Sequence, residues 1–152
     1  MKDEHEARAY RRLVLQRARA ELKLARLRKR ARSEDTHRKF RLGGIGALVG
    51  WDDLSLEEME RRAEAVSRLI ADESAYPDLR IRGRLFYAER EREAATSASP
   101  SFVSAADVRA QRRRQIVLGA LLLRCGADEI DPAVITGAVL RVDKNQKSGT
   151  AS

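Results

Sequence analysis

Cysteine is almost missing from this chain. Cys125 stands alone, which excludes an internal disulfide and an all-cysteine metal site. A single thiol among apolar neighbours suits a reducing compartment. Arg124 beside it favours the thiolate, but with no base nearby the residue reads as a half-buried structural cysteine. Histidine is as scarce: His5 and His37 lack the H-x-x-x-H spacing and the partner carboxylate of a metal centre. Purely apolar runs such as Ala120 to Leu123 fall far short of the ~20 residues needed to span a membrane. The opening MKDEHEARAYRR is charged from its second residue, unlike a secretory signal. In the glycine-rich stretch from Leu42 to Gly46, Lys39 precedes the glycines, whereas a phosphate-cradling loop needs a lysine after them and a strand before. The expectation is a cytoplasmic protein with no catalytic centre, no metal and no cofactor.

What the chain has in excess is positive charge. Lys and Arg number 31 against 23 acids, a net charge of +8 over 152 residues. Its distribution is uneven. Residues 1–32 hold twelve Lys and Arg and four acids, a net of +8, whereas residues 51–99 are net −4 and residues 100–152 net +3. An excess concentrated in the first fifth of a chain points to a polyanionic partner, nucleic acid above all. An ordinary solvated, arginine-rich helix has the same composition and binds nothing in particular.

Helix signals dominate the whole length. Residues 4–32 contain neither Gly nor Pro and consist mostly of strong helix formers. Tyr10, Leu13, Arg17, Ala20, Leu24, Leu27 and Ala31 alternate at spacings of three and four, a heptad seam interrupted by Arg17. Such a helix has little stability alone, so the seam predicts a homodimer through Tyr10, Leu13, Leu24 and Leu27. Beyond it, either Asp35 or Thr36 caps a new helix at His37, or one helix runs on to Leu42. Phe40, Ile45, Leu48 and Val49 would face a core. Ser55 and Glu58 have capping-box spacing, opening a helix to about Glu73 that packs Leu56, Met59, Ala63, Val66 and Ile70. Tyr76-Pro77-Asp78 breaks the chain. Residues 78–93 alternate briefly like a strand, but their ERERE end argues helix. AATSASPS, residues 94–101, reads as a linker. A helix from Ala105 to Cys125 follows, then another opened by Asp131-Pro132. The terminal KNQKSGTAS has no core-forming residue and reads as frayed. The fold class is therefore all-α, organised as a basic helix (1–35), a helical unit (36–93), a linker (94–104), a second unit (105–142) and a disordered tail (143–152).

The two units resemble each other. A constant offset of 76 pairs Arg38 with Arg114, Leu42 with Leu118, Gly43 with Gly119, Gly50 with Gly126 and Asp52 with Asp128, without gaps. Each unit is a basic-fronted helix, a glycine stop, an acidic turn and an amphipathic helix, the pattern of an internal repeat. Gly43 and Gly119 suit close helix approach, and Gly50 and Gly126 a left-handed C-terminal cap. Trp51, next to the first stop, suits base stacking or packing in the turn, the latter the better fit. Placed at helix N-terminal turns, the basic clusters would oppose the helix dipole unless an anion such as phosphate bound there.

Thr36, His37, Arg38, Lys39, Leu42, Gly43 and Gly44, followed by the apolar run to Gly50, resemble the conjugal-transfer TraD family of small plasmid proteins. His37 replaces the family's usual Arg, and in the second unit, Arg112 to Gly126, Ala120 stands where the second glycine would be. The resemblance implies a small basic helical accessory protein of plasmid mobilisation that acts with a relaxase at the transfer origin. The residues expected to contact DNA are Arg11, Arg12, Arg19, Lys23, Arg26, Lys29 and Arg30 in the first helix, His37, Arg38, Lys39 and Arg41 in the first cluster, and Arg112, Arg113 and Arg114 in the second. The rival expectation is a helical adaptor whose basic surface docks an acidic protein, such as the relaxase, without reading DNA.

Overall fold

A computed structural model describes residues 2–96 and 104–150. Five helices carry the chain: α1 (Lys2–Ala47), α2 (Leu56–Ile70), α3 (Tyr76–Thr96), α4 (Ala105–Arg124) and α5 (Pro132–Thr150). Short 3-10 turns at Trp51–Asp53, Glu73–Ala75 and Ala127–Glu129 join them. No strand occurs among the described residues, so the fold is all-α. The contacts divide the chain into two units, Met1–Thr36 and His37–Ser152, with the boundary inside α1.

The local signals explain most element ends. Gly50 and Gly126 stop their helices in the left-handed region, at φ of 81° and 76°, where any side chain would be strained. Ser55 Oγ accepts the Glu58 N–H at 3.3 Å and Ser104 Oγ the Asp107 N–H at 3.2 Å, each an N-cap. Asp131 caps α5 by accepting the Ala133 N–H at 3.0 Å. That bond and the Arg80 guanidinium hold the Asp131 carboxyl below its ordinary range. Pro77 and Pro132 sit in first turns, where a missing N–H costs nothing.

Of the two alternatives at Asp35 and Thr36, the continuous helix is the one found, since α1 passes through both residues. Four expectations are corrected. α2 ends at Ile70, short of Glu73, and Leu56 at its start is exposed. Residues 94–96 of the expected linker extend α3, and 97–103 lie outside the described residues. The tail expected to be frayed from Asp143 continues α5 to Thr150, with Asp143 itself buried. Finally, residues 36–93 and 105–142 do not pack as separate units. They share one core within His37–Ser152, where Leu42 and Ile45 of α1 join Leu118 and Leu122 of α4 and Val134, Ile135 and Val139 of α5.

Glycine sets two of the helix crossings inside that core. A side chain on Gly43 would run into the Gln115 carbonyl, and one on Gly119 into the Lys39 carbonyl. Both pairs are related by the offset of 76, so the crossing of α1 and α4 is reciprocal. In the same manner Gly83 of α3 lies on the Ala133 carbonyl of α5, and Gly137 of α5 on the Leu79 carbonyl of α3. Backbone meets backbone at each crossing, which lets a small core close tightly. Gly119→Ala should accordingly cost ~1–3 kcal/mol through forced helix separation. Gly149, whose Cβ position is open, provides the control: Gly149→Ala should be neutral or stabilising by up to ~1 kcal/mol. Urea midpoints compare the two directly, and equal midpoints would contradict the crossing geometry.

A buried polar cluster ties α5 to the first glycine stop. The Asp143 carboxylate accepts the Trp51 indole N–H at 3.1 Å and the Arg62 guanidinium at 3.2 Å, and Lys147 Nζ approaches it at 2.9 Å. Arg62 also lies over the Trp51 ring, 5.5 Å from its centre. Trp51 is fully buried and fills the turn, so it presents no face for stacking. Cys125 is half-buried, its thiol donating to the Leu121 and Ala63 carbonyls at 3.4 and 3.6 Å.

Candidate nucleic-acid interface

The unit Met1–Thr36 is a single helical segment with no core of its own. Its residues 2–34 are all exposed, large apolar side chains included: Tyr10 is 69% and Leu13 64% exposed, Leu24 and Leu27 51%. The seam read from the sequence is therefore a row of apolar groups in water along one helix face.

Angular position sorts the cations of this segment more sharply than counting does. At ~100° per residue, Arg8, Arg12, Arg19, Lys23, Arg26 and Arg30 fall within a ~60° sector. The stripe is about 33 Å long at 1.5 Å rise per residue, and contains no acidic residue. Arg30 makes an i,i+4 pair with Glu34 at 3.4 Å, but both side chains are mostly exposed, so the pair is worth at most ~0.5 kcal/mol and leaves the cation available. Arg17 pairs in the same way with Glu21 at 3.3 Å, away from the stripe. Arg11 and Lys29 lie about a quarter-turn off it. Arg8 was missed by sequence reasoning, which weighed charge density; projection at 3.6 residues per turn is the signal that finds it.

Within His37–Ser152 the two basic clusters come together at the α1–α4 crossing. Arg112 of α4 lies over the Phe40 ring of α1, 5.0 Å from its centre, and Gln115 Nε2 donates to the Phe40 carbonyl at 2.9 Å. Lys39 is half-buried, its carbonyl against Gly119. His37, Arg38, Arg41, Arg112, Arg113 and Arg114 are exposed. Arg114 stands 3.7 Å from Asp53 in an exposed pair. The clusters do not occupy helix N-terminal turns. His37 to Arg41 lie deep inside α1, and Arg112 to Arg114 lie two turns into α4, whose first turn carries Asp107 as the dipole prefers. No dipole conflict remains to be met, only charge: seven basic groups, six exposed and Lys39 half-buried, lie on the two helices that cross here.

Among the described residues no group of His, Cys, Asp and Glu has the arrangement of a metal site, and no helix is long and apolar enough to cross a membrane. The chain matches no family model, and no curated protein or solved structure proves similar to it.

Proposed function

We propose that this protein is a DNA-binding accessory factor of plasmid conjugal transfer or mobilisation, acting as a homodimer beside a relaxase at the transfer origin. The observation that carries the DNA-binding part is the acid-free stripe from Arg8 to Arg30, whose length is about one turn of duplex DNA. The assignment to conjugation rests on the TraD-like residues from Thr36 to Gly50. Lys and Arg at these positions meet phosphates, which fix position on a duplex but carry little sequence information. Affinity should therefore be high at low salt, and sequence preference modest.

Electrophoretic shifts with a transfer-origin duplex and a scrambled one test this reading. Both should bind, and log affinity should fall linearly with log salt, by ~0.9 for each phosphate neutralised. The six stripe cations of one copy give a slope near −5 on that scale. No shift at low salt with either naked duplex, together with capture of a purified relaxase, would transfer the basic surface to the adaptor reading.

A further inference from the structure

The exposed seam of the Met1–Thr36 unit specifies the direction of its pairing. Let Tyr10, Arg17 and Leu24 occupy a positions of the heptad, and Leu13, Ala20 and Leu27 d positions. A parallel, in-register pair sets Arg17 directly against the Arg17 of the second copy in a core layer. It also aligns Lys23 at g with Arg28 at e of the other chain. Both juxtapositions are between like charges. Reversing one helix changes every layer. Tyr10 then meets the second copy's Leu27, Leu13 meets Leu24, and Arg17 meets Ala20. Large side chains face large ones, and the one long cation faces the one small residue, past which its guanidinium reaches water. Glu21, already 3.3 Å from Arg17, holds that guanidinium toward the edge of the seam.

We infer that the chain dimerises through an antiparallel coiled coil of residues 10–27, and that this direction merges two basic stripes into one surface. Antiparallel pairing places g beside g on one side of the coil and e beside e on the other. Arg12, Arg19 and Arg26 occupy c positions and Lys23 and Arg30 g positions, so both copies present their cations on the same side. A parallel pair would place g opposite e and send the stripes to opposite sides. The merged surface doubles the cations offered to one duplex, and it rests on the DNA-binding reading above. The pairing direction does not.

Cross-linking of the full chain in a Cys125→Ser background separates the possibilities. Leu13→Cys protein mixed with size-tagged Leu24→Cys protein should give a mixed disulfide dimer without DNA, while each variant alone gives little. Gln16→Cys mixed with tagged Lys23→Cys, outside the apolar layers, should cross-link in the same mixed fashion with a short bismaleimide. Self-cross-linking of Leu13→Cys would establish a parallel pair and overturn the inference, as would a monomeric mass for the wild type by light scattering. Leu24→Asp should then be monomeric and show roughly half the wild-type salt slope. An antiparallel dimer that fails to shift duplex DNA would remove the DNA-binding reading and leave the pairing intact. A monomer that binds DNA would do the reverse.

Discussion

Removal of residues 1–32 is expected to lower affinity for duplex DNA by about two orders of magnitude at ~100 mM salt, leaving the His37–Ser152 unit folded. The removed segment carries a net +8, the entire excess of the protein, so the remainder is close to neutral in net charge. Phosphate-dominated binding scales with the counterions released, and six stripe residues are the largest single group of cations lost. The thermal midpoint should hardly move, because every buried apolar side chain of the core belongs to residue 42 or beyond. Two further variants apportion what is left. Arg38→Ala with Arg41→Ala, and Arg113→Ala with Arg114→Ala, should each weaken binding several-fold and flatten the slope by one to two units at ~0.9 per contact. A truncated protein that binds as tightly at the same salt would show that the stripe is only a solvated face, and these clusters would then carry the affinity.

The parts of the fold that the sequence disclosed are those decided within a few residues. Gly50 and Gly126 were legible because a left-handed stop favours glycine, and Ser55 and Pro132 because caps and first turns have narrow chemical requirements. Gly43 and Gly119 were legible as close-approach positions, but not what they approach. That each meets a carbonyl four residues before the other is a property of the crossing, and lies outside any local window. The continuity of α1 through Asp35 and Thr36 was illegible for the opposite reason. Cap-forming residues are tolerated inside a helix at small cost, so the same letters describe a start and an interior. The basic clusters inherited that ambiguity, and with it their misplacement at helix N-termini. The end of α5 failed on composition. Residues 143–152 contain almost nothing apolar, and Asp143 is paired in the core with Trp51 and Arg62, 92 and 81 residues away, which no local window discloses.

That pairing supports the second large effect. Asp143→Ala should destabilise the His37–Ser152 unit by ~3 kcal/mol, within the ~3–5 kcal/mol expected when one partner of a buried ion pair is removed. Asp143 is 7% exposed, and the Arg62 side chain is 16% exposed. Without the carboxylate, Arg62 keeps only Glu58 at 3.8 Å and the Trp51 ring, and the indole N–H loses its acceptor. Glu58 moderates the loss, which places the estimate at the lower end. Lys147 adds little, since its side chain is 76% exposed. Asp143→Asn retains an acceptor for Trp51 while deleting the charge, so it should fall between wild type and Asp143→Ala. Trp51, the single tryptophan, makes the measurement local: its fluorescence should report the same midpoint as far-ultraviolet circular dichroism if the cluster unfolds with the core. A change below ~0.5 kcal/mol would mean that Arg62 finds water once its partner is gone. The decisive comparison is Arg62→Met combined with Asp143→Leu. Replacing both charges with apolar groups of similar volume removes the desolvation cost of the ion pair along with its attraction, so the double variant should recover the part of the loss that belongs to Arg62, while the indole N–H of Trp51 still lacks its acceptor. If it is instead as unstable as the two single changes added together, the residues act independently, and Asp143 stabilises the fold through its bond to Trp51 alone.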